Sequence, residues 1–242
     1  MKMAFLVCLL LLPAQLFGQD VIPAGTILPM RLDSSLNSWK TTPGKTVTAR
    51  LMQDVPLPSG KKIRTGSKAI GRVLEVIHTT DGGAQLSLKF DTLVVSHQKL
   101  PMSTNLRALA SMMEVADAQT PKTGPDRGTP ANSWTTVQIG GDVVYRGGGP
   151  VAKGSRVVGT PTADGVLVRI ESKSGACRGD LNGNDHPQAL WVFSADACGT
   201  YGFNDLRIVH AGRTTPIGQI TVASMGHNFD IRRGSGLLLR VQ

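Results

Sequence analysis

Pro23-Ala24-Gly25-Thr26 opens the apolar run Ile27-Leu28-Pro29-Met30-Arg31-Leu32, and Thr42-Pro43-Gly44 leads into Thr46-Val47-Thr48-Ala49-Arg50-Leu51. After Pro58-Ser59-Gly60, Arg64-Thr65-Gly66-Ser67 opens Lys68-Ala69-Ile70-Gly71-Arg72-Val73-Leu74-Glu75-Val76. Each unit is a Pro/Gly turn followed by a short strand of β-branched and aliphatic residues. Such spacing builds a small antiparallel β-barrel or sandwich. No catalytic constellation lies within it.

The same grammar extends in both directions. Strands are predicted over 26–32, 46–51, 68–77, 85–95 and 99–104. In the fourth, Leu86, Leu88 and Phe90 alternate with Ser87, Lys89 and Asp91, which turns one face inward and the other to water. Asp81-Gly82-Gly83 just before it is a hairpin signal. Residues 106–118 are rich in Ala, Leu, Met and Glu, with no Gly or Pro, and read as a short helix. Thr120 to Pro130 has the composition of a flexible linker. Strands return over 135–139, 142–146, 156–159, 166–171, 190–194, 205–210, 217–223 and 236–241. Gly154-Ser155-Arg156-Val157-Val158-Gly159 echoes Gly66-Ser67-Lys68-Ala69-Ile70-Gly71, either as a duplicated β-module or as a coincidence of two Gly-Ser turns. The expected class is all-β: a barrel or sandwich over 19–106, a helix and linker over 107–133, and a second, disulfide-containing β domain over 134–242. With 28 Gly and 14 Pro the chain is loop-dense, as that class requires.

Ile22-Pro23-Ala24-Gly25-Thr26, Pro43-Gly44 with Val47-Thr48-Ala49, Asp54-Val55, and Gly66-Ser67-Lys68 with Ile70-Gly71-Arg72 fall in one order. In that order they resemble the TrbI-like family of conjugal-transfer proteins. Members contribute a periplasmic β-barrel to the outer-membrane complex of type IV secretion. The resemblance covers the N-terminal part of the mature chain and implies a barrel there and a place in an envelope assembly.

Residues 1–18 read as a secretory signal peptide: Lys2 is the positive end, Ala4 to Leu12 the apolar core, and Pro13 its break. That core is too short to span about 30 Å of hydrocarbon. Export, to the periplasm, the outer membrane or beyond, is therefore expected. The segment is either cleaved after Gly18 or kept as an N-terminal anchor; cleavage removes Lys2 and leaves 25 basic against 17 acidic residues, a surplus of eight. Positive charge of that size favours anionic envelope polymers as partners; envelope proteins are the other expected partners, and a homo-oligomer is compatible with either. Aromatics make up only 5% of the chain, too few to stack exposed bases, so no specific nucleic acid is expected.

Two cysteines remain after export, Cys177 and Cys198. An even number in an exported chain reads as a disulfide. It would close a polar, turn-rich loop of about twenty residues, worth on the order of 3 kcal/mol on chain-entropy grounds.

Other chemistry is weaker. Asp180-Leu181-Asn182-Gly183-Asn184-Asp185 opens like a calcium loop, but Asp185 and Trp191 stand where glycine and a twelfth-position carboxylate are needed. Ser174-Gly175-Ala176-Cys177-Arg178 has a misplaced glycine for a transpeptidase nucleophile, and pairing would remove its thiolate. The five histidines are isolated in sequence, without zinc spacing. No metal, no cofactor and no catalytic residue is expected. Trp191, Phe193, Tyr201 and Phe203 form the densest aromatic cluster. They either buttress the disulfide from within the core or form a sugar-stacking platform, which would make the protein a secreted glycan-binding β-sandwich. Exposure of the rings decides between the two.

Overall fold

Turn-strand units at the N-terminus build one face of a sheet that the C-terminus completes. The structure, a computed structural model, describes residues 21–121, 134–146, 149–162, 165–169 and 187–242. In chain order it contains β1 (Ile27–Leu32), β2 (Leu36–Asn37), β3 (Thr46–Leu51), β4 (Val55–Pro56), β5 (Lys62–Ile63), β6 (Lys68–His78), β7 (Ala84–Val95), β8 (Gln98–Pro101) and β9 (Thr104–Ala110). A helix, α1 (Met112–Gln119), follows. Then come β10 (Trp134–Val137), β11 (Val143–Arg146), β12 (Val151–Lys153), β13 (Arg156–Thr162), β14 (Gly165–Arg169) and β15 (Pro187–Ala189). The chain ends with β16 (Gly199–Tyr201), β17 (Arg207–His210), β18 (Ile220–Ser224), β19 (Asp230–Ile231) and β20 (Gly236–Val241).

The fold is all-β. The large sheet runs β16-β9-β20-β1-β3-β6-β7-β18-β17, with β8 added on β7. Its pairs are antiparallel except β16 with β9. The two ends of the path meet, and the Leu106 N–H donates to Ala211 O at 2.8 Å, so the sheet curls into a nearly closed barrel. Strands β10 to β15 form a second, sequentially ordered sheet of six. The sequence drew a boundary at 107–133, but the large sheet runs across it. Strands β16, β17, β18 and β20 all lie beyond that boundary and join the strands of 19–106. The second sheet is an insertion between β9 and β16.

Side-chain alternation packs the barrel. Leu86, Leu88 and Phe90 of β7 point inward and are buried, as their spacing predicts. Ser87, expected in water, is buried too: its hydroxyl and that of Thr221 on β18 are 2.8 Å apart and satisfy each other. A void of about 10 Å³ in the barrel is lined by Leu32, Phe90, Leu106, Ile220 and Leu237 among others, all apolar. One glycine is dictated by a close approach. At the bulge between Ile70 and Gly71, a Cβ on Gly71 would sit 1.9 Å from the Lys89 carbonyl oxygen. Only glycine lets β6 meet β7 there.

Strands β1, β20 and β9 are covered on both faces. Leu28, Leu106 and Leu239 face the barrel core, whereas Ile27, Ala108 and Leu238 face a second core shared with Val144, Val151 and Phe193. This double burial explains the main error in the sequence reading. The predicted helix over 106–118 is a strand through Ala110 and a helix only from Met112, with Ser111 as its N-cap accepting from the Glu114 N–H at 3.3 Å. Every residue of β9 is buried, so no polar face survives to show the period of two, and Ala, Leu and Ala then read as helix formers.

Other boundaries shift as well. The strand predicted over 99–104 divides between β8 and the start of β9. Residues 190–194 are not a strand but a turn and a single bridge, Phe193 to Ile139. The two Gly-Ser turns sit in different settings: Gly154-Ser155 is a two-residue hairpin between β12 and β13, while Gly66-Ser67 ends a four-residue turn closed by the Ser67 N–H on Arg64 O. Local turn chemistry accounts for the echo.

Candidate binding groove at the barrel seam

Segment 190–198 is where the barrel and the second sheet are fastened, and almost every link is a buried polar side chain on a peptide group. Trp191 sits in the left-handed region, with φ of 49°. That is costly for a bulky residue and persists only where surroundings hold it. Here they do. Gln53 Oε1 accepts from the Trp191 N–H at 2.6 Å, and Gln138 Nε2 donates to Trp191 O at 2.7 Å. Gln53 also accepts from the Val166 N–H at 3.0 Å and donates to Val166 O, capping β14. Ile139 exchanges backbone bonds with Val192 and Ser194 at 2.8 and 2.7 Å.

Farther along, Asp142 Oδ2 accepts from the Ala195 N–H at 2.7 Å. Arg107, from β9, donates through Nη2 to Ala195 O at 3.0 Å and through Nε to Ala197 O at 2.9 Å. A buried carboxylate and a buried guanidinium thus grip opposite sides of one residue.

This geometry relocates the aromatic cluster. Trp191 and Phe193 are 4% and 0% exposed, inside the second core. Tyr201 packs against the same core, and its hydroxyl accepts from the Cys198 N–H at 2.9 Å. Phe203 packs against the barrel core instead. The sheet therefore brings three of the four together, and neither Trp191 nor Phe193 has a ring face open to a sugar. The shared strand face inferred from their spacing is also absent, because Trp191 lies in a turn. Cys177 and the segment Asp180 to Asp185 lie outside the described residues. Among the described residues, no three His, Cys, Asp or Glu side chains are grouped to hold a metal ion.

A cavity of about 330 Å³ opens between β16 and β17, where the ends of the barrel meet. It is lined by Arg107, Arg207, Arg213, Thr200, Ile208 and Cys198 among others, and among the described residues by no acidic one. Arg207 is exposed at its rim and Arg213 is half-buried, with Arg107 beneath. Sequence reading missed all three. One signal was present: Arg107 is a lone charge in Leu106-Arg107-Ala108-Leu109-Ala110, an otherwise apolar run. No family model matches the chain, and no curated protein matches it.

Proposed function

We propose that the protein is an exported, non-catalytic component of the cell envelope that acts by assembly or binding in the periplasm, in the way the TrbI-like resemblance implies. The solid barrel interior carries this reading. Barrels that hold a ligand inside keep a cavity for it. A void of about 10 Å³ with wholly apolar walls leaves no such room, so partners are met on the outside. The outside is basic: the mature chain carries 25 basic against 17 acidic residues, and Arg207 and Arg213 line the seam groove. Anionic envelope polymers and acidic envelope proteins are the partners that such a surface attracts.

Retention of the mature protein on purified envelope fractions across a salt series tests the reading. Retention is expected to fall as salt rises, because the Debye length shrinks from about 10 Å at 0.1 M to about 3 Å at 1 M. Salt-indifferent retention would overturn it.

The cysteines are part of the same proposal. In the exported protein Cys177 and Cys198 pair, tying down a polar loop that has little apolar surface of its own. Alkylation of the unfolded, unreduced mature chain should add no mass. Two alkylated thiols in that experiment would refute the pairing and, with it, the oxidising address.

A further inference from the structure

A second cavity, of about 300 Å³, lies where α1 begins, bounded by the turn after β16 and the loop between β19 and β20. Ser111, Met112, Met113 and Glu114, the cap and first turn of the helix, form one wall. Gly202 and Phe203 form another, and Asp230, Arg232 and Ser235 the third. The Ser111 N–H on Tyr201 O at 2.9 Å fastens the first two walls together. Gly202 is required there, since a Cβ on it would sit 2.4 Å from both Ser111 Oγ and Glu114 Cγ. Polar groups around this space are uncommitted. Ser235 is 0% exposed and its hydroxyl has no hydrogen-bond partner among the described residues, and neither has Asp230 Oδ1. Asp230 Oδ2 instead holds Arg232 Nε at 3.4 Å. The first N–H groups of a helix have no acceptor within it. Of those of Met112, Met113 and Glu114, only the last is taken among the described residues, by Ser111 Oγ.

We propose that this cavity is a binding site for an uncharged hexose unit. A sugar hydroxyl both donates and accepts, and the cavity walls offer partners for both roles. The carboxylates of Glu114 and Asp230 accept, the Met112 and Met113 N–H groups donate, and the Ser235 hydroxyl does either. Half-buried Phe203 and the exposed side chains of Met112 and Met113 supply apolar surface for the C–H face of a ring. Charge argues against an ionic ligand. Two carboxylates stand against one guanidinium and the partial positive end of the helix, which leaves little excess of either sign. The volume stands at the lower end of small-molecule sites, about 300–1,000 Å³, and suits a single ring. The site shares no residue with the seam groove and none with the buried pair Trp191 and Phe193. It adds a ligand that charge does not select to a reading in which charge selects the partner.

The test titrates the whole mature chain with methyl glucoside, methyl galactoside and methyl mannoside and with linear trimers of the same sugars. Blocked lysine and glucuronate serve as charged controls. At least one neutral sugar should move the amide signals of Ser111, Met112, Met113, Glu114, Phe203 and Ser235 and bind at least about tenfold better than either control. Its affinity should be the same at about 0.1 M and about 1 M salt. A gain from monomer to trimer assigns the unit to a polymer, and equal affinity assigns it to a free sugar. Glu114→Gln should weaken binding about tenfold, because a charge-assisted bond becomes a neutral one. Proline is tolerated at the first helical position, and Ser111 before it is already extended, so Met112→Pro removes one donor and leaves the helix. Measured against Met112→Ala, it should bind about threefold more weakly or worse. Shifts confined to other residues, or no neutral sugar bound, would overturn the site. Blocked lysine bound better than every sugar would make it a cation pocket and overturn it too, as would Glu114→Gln and Met112→Pro that bind like their parents. Envelope retention is scored apart. If it falls with salt while no sugar binds, only this site fails; if a sugar binds while retention ignores salt, only the charge-driven reading fails.

Discussion

Arg107→Met is expected to lower the free energy of unfolding by about 3–5 kcal/mol, because two buried carbonyls each lose a charge-assisted donor worth about 1.5–3 kcal/mol. The acceptors are Ala195 O and Ala197 O, on the segment that also carries Trp191 and Phe193 into the second core. Methionine matches the length of the arginine stem and keeps its apolar packing, so the loss reports the guanidinium rather than a hole. Asp142→Asn should cost less, since an amide oxygen can still accept from the Ala195 N–H. Arg107→Lys should recover only part of the loss, because one ammonium cannot reproduce the two-pronged geometry. Urea unfolding at constant slope measures all three. A loss for Arg107→Met under about 1 kcal/mol, the range of ordinary surface changes, would mean that the guanidinium does not hold the segment.

Arg107 also marks where the sequence stops being legible. Strands with one face in the core and one in water announce themselves: β3 and β6 fall where alternation and flanking turns put them, and the Asp81-Gly82-Gly83 hairpin closes through the Thr79 N–H on Gly83 O at 3.0 Å. Strand β9 has no watery face, so its period is erased. Ser111 followed by Glu114 was a readable capping box that would have moved the helix start to the right place. The closure of the barrel by β16, β17, β18 and β20 is a long-range pairing that no local pattern encodes. Residues 190–194 look like a strand because the hydrophobic run is real. Its geometry is set instead by Gln53 and Gln138, which lie more than fifty positions away in the chain. The groove depends on the same closure, which brings Arg107 of β9 beside Arg207 of β17. The scattered basic residues in the sequence gave no hint of that convergence.

Phe90→Ala should also cost about 3–5 kcal/mol, the usual range for emptying a buried aromatic site. The ring is 1% exposed in the middle of β7, and across the ladder it faces Gly71, which has no side chain to fall into the space. Gly71 cannot supply one either, since any Cβ there would strike the Lys89 carbonyl. Most of the walls that remain belong to β1, β9, β18 and β20, each pinned by its own ladder, so the site cannot collapse far. Truncation would also merge with the void already beside the ring. Each added cubic ångström of cavity costs about 24 cal/mol, which pushes the expected loss toward the upper end of the range. Phe90→Leu, which refills most of that volume, should lose less. Lys89→Ala makes a control on the opposite face of the same strand: its ammonium lies 3.2 Å from Asp91 at a partly exposed site, a contact worth about 0–1 kcal/mol. If Phe90→Ala instead proved no more damaging than Lys89→Ala, the inward face of β7 would be misassigned. The register that builds the barrel, and the solid interior that sends its partners to the outer surface, would go with it.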